Sequence, residues 1–212
     1  MQLDPDGAEH LPALLDTTGL KGLAAAVSGD ESRRLDATSG VAALVAPATA
    51  AVRRRLPGAQ PVFAKFFDKS PERNWSLGWH QDRTIAVQER RDTPGFNHWT
   101  VKDGLTHAVP PVAFLESLLV LRLHLDPADA DNAPLLVAPG SRRLGRVPEP
   151  DIAAAVARCG TCACLAEAGD AWLYRALILH ASERARRASR RRVLQLAYSA
   201  EKLPGELEWL GI

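Results

Sequence analysis

Residues 118–126, LLVLRLHLD, constrain the architecture more than any other stretch of the chain. Side chains on a strand alternate between faces. Leu119, Leu121, Leu123 and Leu125 therefore line one face, and Val120, Arg122, His124 and Asp126 the other. The leucine face demands a hydrophobic layer. The opposite face carries two basic groups in mid-strand and has two readings: the solvated side of a half-exposed antiparallel strand, or the polar interior of a barrel. The motifs below favour the interior.

Residues 62–68, 77–87, 135–137, 171–180 and 191–199 are further strand candidates, punctuated by turn signals at Ser70-Pro71-Glu72, residues 129–132, Pro139-Gly140-Ser141 and Gly169-Asp170. Many short strands with frequent turns indicate an all-β sandwich or barrel. Within 171–180, Trp172, Tyr174, Ala176, Ile178 and His180 share a face; within 191–199, Arg191, Val193 and Gln195 do. Residues 1–58 read as helical. The clearest helix spans 46–56, with Pro47 in its first turn, Arg53, Arg54 and Arg55 in its last, and Pro57-Gly58 as the stop. Residues 149–158 form a short inserted helix. Residues 88–111 read as a long loop, and Phe96, His98 and Trp99 make it an ordered lid or pocket wall rather than disorder. The expected organisation is a single domain over 1–212, with helical support in 1–58, a β core in 59–202 and a tail in 203–212.

The chemistry centres on Trp79-His80-Gln81-Asp82. A histidine and an aspartate two apart on a strand point to one side. Together they supply two thirds of a 2-His-1-carboxylate iron site. His180, closing the strand-like run 171–180, is the natural third ligand. His98 and His107 in the long loop read as polar surface residues.

Composition narrows the function by exclusion. A net charge of +1 over 212 residues argues against a general polyanion binder and against membrane attachment. The cluster Arg184, Arg186, Arg187, Arg190, Arg191 and Arg192 lacks interleaved aromatics for base stacking, so no nucleic-acid partner is expected. The acidic segment 1–9 has no signal-peptide pattern, and residues 41–52 are too short and too broken to span a bilayer, so the expected location is cytoplasmic. Cys159, Cys162 and Cys164 form one knuckle without a second, which does not make a zinc site; they read as a turn followed by a strand. No sequence signal bears on oligomeric state.

The ordered set His80-x-Asp82, Asp131-Asn132-x-Pro134-Leu135, Pro139-Gly140-Ser141, Gly169-Asp170, His180-Ala181-Ser182 and Arg191-Arg192 resembles the phytanoyl-CoA dioxygenase-like family of Fe(II)/2-oxoglutarate oxygenases, over roughly residues 60–200. The resemblance implies a mainly β fold, a double-stranded β-helix (jelly roll) with an N-terminal helical layer. It implies His80, Asp82 and His180 as iron ligands, with Fe(II), 2-oxoglutarate and O2 as the cofactor set. Arg191, eleven residues past the distal histidine, takes the cosubstrate's distal carboxylate; strand parity disfavours Arg190 and Arg192. Ser182 and Trp99 match positions beside the cosubstrate.

The implied activity is hydroxylation of a small polar molecule or natural-product intermediate, with succinate and CO2 released. Asp82 is an acid where halogenating relatives carry a small residue, which disfavours halogenation. Asn132-Ala133 and Ser141-Arg142 depart from the family's usual Asn-Gly and Ser-His, in loops away from the ligands. Lys102, Arg122 and His124 are candidates for binding a substrate carboxylate or phosphate; a solvated turn at Lys102 and an internal ion pair at Arg122 are the bland alternatives. The competing functional reading is a non-catalytic jelly-roll domain that binds metal or ligand.

Overall fold

The leucine face finds its hydrophobic layer in the N-terminal helices. The structure, a computed structural model, describes residues 1–27, 33–35, 40–187 and 189–212, with Arg33 and Arg34 by backbone alone. The chain begins with α1 (Leu3–Asp6), β1 (Ala8–Leu11), α2 (Thr17–Ala26), β2 (Arg33–Leu35), α3 (Val41–Leu44) and α4 (Ala46–Arg53). Next come β3 (Gln60–Lys69), β4 (Leu77–His80), β5 (Ile85–Val87), β6 (Asn97–Lys102), β7 (Leu105–Val109) and α5 (Val112–Ser117). The remainder is β8 (Leu119–His124), β9 (Leu135–Val137), α6 (Ile152–Cys159), β10 (Cys162–Cys164), β11 (Ala171–Arg175), β12 (His180–Ser182) and β13 (Arg191–Ser199).

A six-stranded sheet runs β1-β11-β8-β13-β3-β2, and a four-stranded sheet runs β10-β9-β12-β4. All pairings are antiparallel. On the outer face of the larger sheet, Leu121, Leu123, Leu194, Leu196 and Phe66 pack with Leu23, Val41 and Val52 from α2, α3 and α4. Its inner face meets the smaller sheet in a second core that includes Val120, Trp172, Tyr174, Leu135 and Val137. Two antiparallel sheets closed face to face, with helices on one outer side, make the jelly roll. Among the described residues, no helix is long and apolar enough to cross a membrane.

Local signals account for the elements that frame the site. Asp16 caps α2, its carboxylate accepting from Gly19 N at 2.7 Å. Proline sits in the first turn of α4, where its missing N–H costs nothing. α6 follows a short 3-10 turn at Glu149–Asp151, where the inserted helix was expected.

Four expectations need correction. Residues 1–58 are not uniformly helical: β1 joins the edge of the larger sheet against β11, and β2 pairs with β3; the parts of that expectation at 28–32 and 36–39 lie outside the described residues. Residues 77–87 are not one strand. β4 ends at His80, and Asp82 lies beyond it, its N–H donating to Ala176 O at 3.2 Å. The run 171–180 is likewise broken, because β11 ends at Arg175 and His180 opens β12 in the other sheet. Ala176, Leu177, Ile178 and Leu179 are all buried as the chain crosses between sheets, and an unbroken apolar run conceals such a crossing. Residues 88–111 are not a loop. β6 and β7 form a hairpin that continues into β5 as a three-stranded sheet. Its turn is Asp103-Gly104, both at positive φ, as a two-residue hairpin turn requires.

Candidate active site

Sheet register creates the site. β4 and β12 pair so that His80 lies directly opposite His180, and the two imidazoles meet with ring centroids 4.2 Å apart. Asp82, just past β4, brings its carboxylate up beside them; His180 Nε2 lies 3.9 Å from Asp82 Oδ1. One ligand atom from each of His80, Asp82 and His180 falls within 4.8 Å of the others.

Both imidazoles are oriented from behind. His80 Nδ1 is 2.8 Å from Gly78 O, and His180 Nδ1 is 3.0 Å from Ile178 O. A carbonyl only accepts, so each Nδ1 carries the proton and each Nε2 presents a lone pair, the tautomer a metal ligand needs. Burial pushes the His180 pKa down to about 4, against the pull of Asp82, which keeps the ring neutral. Asp82 Oδ2 is buried without a hydrogen-bond partner. Two imidazoles held from behind at Nδ1 and one carboxylate with an unsatisfied oxygen fit a divalent iron with open positions.

Gln81, between two of these residues, faces the opposite way and braces the turn. Its Nε2 donates to Leu177 O at 2.7 Å and Gly145 O at 2.8 Å, and its Oε1 accepts from Val147 N at 2.9 Å.

The triad opens into a cavity of about 240 Å³ between the two sheets. Arg191, the first residue of β13, lines it at 1% exposure, with Nε and Nη1 lacking any hydrogen-bond partner. Burial, then the neighbouring Arg122, push its pKa down to about 9, so it stays cationic at neutral pH. A buried, unpartnered guanidinium edge fits a carboxylate, as 2-oxoglutarate's distal end provides. Across the ladder, Lys69 donates to Ser182 Oγ at 3.1 Å and to Glu183 O at 2.8 Å. Parity separates the neighbouring arginines: Arg190 pairs with Asp68 and Arg192 with Asp126, outside the cavity lining.

The other candidate residues divide. Ser182, Lys102 and Arg122 line the cavity. Trp99 does not; it packs on the three-stranded sheet with the Arg90 guanidinium 5.7 Å from its ring. His124 is fully buried beyond Arg122 and does not reach the cavity; burial, reinforced by Arg122 and Arg191, pushes its pKa down to about 3. His107 is not a surface residue: it is 5% exposed, lines the cavity and meets Phe63 edge-on. Sequence reasoning also passed over Lys69, and it put Gln195 on the face of Arg191 without giving it a role; both line the cavity. The signal for Lys69 was present, since Phe63, Lys65, Phe67 and Lys69 alternate onto one face of β3.

The profile of the phytanoyl-CoA dioxygenase (PhyH) family matches residues 21–193. The chain belongs to this family. Known structures place PhyH-like architecture around it at low identity. EctD from S. alaskensis, solved with 2-oxoglutarate and 5-hydroxyectoine, superposes with TM-score 0.71 at 21% identity over 99% of this chain and 77% of EctD. AviO1 from Streptomyces viridochromogenes Tue57 gives 0.67 at 18% identity, over 96% of this chain and 94% of its own. HygX from Streptomyces hygroscopicus, with nickel, 2-oxoglutarate and hygromycin B bound, gives 0.62 at 14%, over 93% and 84%. No curated protein sequence matches the chain. As a PhyH member the protein has the expected jelly roll, and its histidines and aspartate meet in the cleft between the sheets.

Proposed function

We propose that the protein is an Fe(II)- and 2-oxoglutarate-dependent dioxygenase that hydroxylates a small molecule. The observation that carries this reading is the placement of an unpartnered, buried Arg191 in the same cavity as the His80–Asp82–His180 cluster. A metal-binding domain without cosubstrate has no use for that guanidinium.

In this reading His80 and His180 hold the metal through Nε2 and Asp82 through its carboxylate. Arg191 anchors the distal carboxylate of 2-oxoglutarate, with Lys69 and Ser182 alongside. Iron, 2-oxoglutarate and O2, when bound, would supply the oxidising power that converts a C–H bond to an alcohol, one oxygen atom going to the product and the other to succinate, with CO2 released. The chain's own contribution is orientation and exclusion of water. The hydrogen bonds that each Nδ1–H donates to Gly78 O and Ile178 O fix the imidazoles, and the apolar lining, including Leu118, Val120 and Ala176, keeps bulk water from the reacting face. Asp82 occupies the carboxylate position, which favours hydroxylation over halogenation. EctD and HygX, crystallised with 5-hydroxyectoine and hygromycin B, support a small polar substrate.

The test is an anaerobic titration of the metal-free protein with Fe(II) and 2-oxoglutarate, following the visible charge-transfer band of a chelated complex, with His80→Ala and Arg191→Ala alongside. The expected result is a band in wild type that both variants lose, and succinate release on admitting air. Bound iron without a band would leave a jelly-roll binding domain.

A further inference from the structure

Three buried cations lie along one face of the larger sheet. Arg122, Lys69 and Arg191 are 7%, 3% and 1% exposed, and all line the cavity. Among the described residues, Asp82 is the single carboxylate in that lining.

Counting formal charge in the loaded site, on the oxygenase reading above, exposes a mismatch. A metal dication, the Asp82 carboxylate and the metal-chelating carboxylate of 2-oxoglutarate sum to zero. The cosubstrate's distal carboxylate then offsets one of the three buried cations, and the less buried Lys65 and Lys102 line the same cavity. An excess of two positive charges remains, or of one when Lys69 is neutral. Uncompensated charge in a water-poor cavity is strongly unfavourable, so the loaded site calls for a further anion.

Geometry indicates where it binds. Arg122 on β8 lies opposite Gln195 on β13, four residues along the strand from Arg191, roughly 13 Å at strand rise. Arg122 Nη1 donates to Gln195 Oε1 at 2.9 Å, an oxygen that the Tyr174 hydroxyl also approaches at 3.4 Å. The guanidinium lies 5.2 Å from the centre of the Phe67 ring. Its Nε is buried with no partner. A guanidinium fixed by a carboxamide and an aromatic ring, with an unsatisfied N–H, is pre-organised for an oxyanion. The Tyr174 ring also touches the metal cluster, 5.3 Å from the His180 ring, which puts this position beside the reacting centre.

We propose that the substrate carries an oxyanion group, a phosphate ester or a carboxylate, which Arg122 binds in the same cavity as the metal and cosubstrate. The excess of two charges favours the phosphate ester.

The test uses protein loaded anaerobically with Fe(II) and saturating 2-oxoglutarate, its charge-transfer band recorded first. Phenyl phosphate, benzoate and neutral benzyl alcohol are then titrated by calorimetry. The expected result is binding of phenyl phosphate and none of benzyl alcohol. Arg122→Gln weakens the oxyanion probe about tenfold to hundredfold, while 2-oxoglutarate affinity stays within about twofold. Arg122→Lys, which keeps the charge and loses the fork, gives an intermediate loss and covers a Gln variant that fails to fold. Tighter binding of benzoate supports the proposal and identifies the oxyanion as a carboxylate. Oxyanion probes that bind no better than benzyl alcohol overturn it with the oxygenase reading intact. So does an Arg122→Gln variant that loses 2-oxoglutarate as Arg191→Ala does, since Arg122 then belongs to the cosubstrate. No band in wild type overturns both.

Discussion

Lys69 stands directly opposite Arg191 in the β3–β13 ladder, two buried cations on one face with no carboxylate between them. Like charges directly opposite on antiparallel strands repel. The nearest acid in sequence, Asp68, points to the other face, where Arg73 and Arg190 pair with it. Ser182 Oγ and Glu183 O, which accept from Lys69, are neutral. The pair therefore costs stability while empty and gains it with an anion, the relationship expected of a binding site held ready by the fold.

Replacing Arg191 should separate binding from stability. In Arg191→Met the affinity for 2-oxoglutarate falls at least about tenfold, because a charge-assisted bond pair is lost. The melting temperature of the cosubstrate-free protein stays level or rises, because a buried cation without a partner has been replaced by an apolar chain. Calorimetric melting with and without 2-oxoglutarate checks both halves. A lower melting temperature without cosubstrate would mean that Arg191 holds the native fold together.

Lys69 should make cosubstrate binding depend on pH. Burial, then Arg191 and Arg122, push its pKa down to about 7. Between that value and the ordinary lysine range the unfolded chain holds a proton that the folded chain has lost, so Lys69 makes the cosubstrate-free protein more stable as pH rises through this window. Anion binding runs the other way. It favours protonated Lys69, so 2-oxoglutarate affinity declines as pH rises from about 6 to about 9. Dissociation constants across that range, compared with Lys69→Met, isolate the effect. The variant should bind more weakly and lose this part of the pH dependence; parallel profiles would show that Lys69 does not feel the anion.

The sequence made the inner face of the larger sheet legible because Arg122, Arg191 and Gln195 sit at fixed parity in strands whose alternation is clean. The cluster of His80, Asp82 and His180 was legible for a different reason than the one first available. Asp82 is not on the strand, so period two does not place it; the turn anchored at Ala176 does. The crossing between β11 and β12 was hidden because residues 176–179 are buried throughout and carry no polar marker. The β6–β7 hairpin was hidden because β6 is exposed along nearly its whole length and buries no residue in a core, although Asp103-Gly104 carried the turn signal. Reading that hairpin as an ordered lid or pocket wall put Trp99 beside the cosubstrate, whereas it lies outside the cavity lining.

The turn that launches β11 should tolerate no side chain at Gly169. Its φ is +93°, and a Cβ there would come within 2.4 Å of Leu15 O. That approach is tied to a hydrogen bond, Leu15 N donating to Gly169 O at 3.1 Å. Gly169→Ala should therefore destabilise the protein by about 2 kcal/mol or more. Urea unfolding measures it, as a lower midpoint at an unchanged slope. A variant as stable as wild type would show that the segment around Leu15 yields easily.

Gln81 offers the sharpest test of how the metal cluster is held. Its side chain bonds three backbone groups on two segments, Leu177 on one and Gly145 and Val147 on the other, and it is 4% exposed. Leu177 is three residues before His180, and Gln81 itself separates His80 from Asp82, so one carboxamide ties both arms of the site to a common frame. In Gln81→Leu, two carbonyls and one N–H lose their partners, which should lower stability by about 2–4 kcal/mol. Supporting contacts around metal ligands are worth about 10–100-fold in affinity, so Fe(II) binding should weaken by that order even under conditions where the variant is fully folded. Gln81→Glu offers no donor to Leu177 O or Gly145 O when ionised, and should impair metal binding by a similar factor while keeping the side chain's shape. Equilibrium metal titration below the melting transition decides between the two roles. If both variants lose stability but bind Fe(II) as tightly as wild type, Gln81 braces the fold alone, and the spacing of His80 and Asp82 is set by the β4–β12 pairing and the Asp82–Ala176 hydrogen bond.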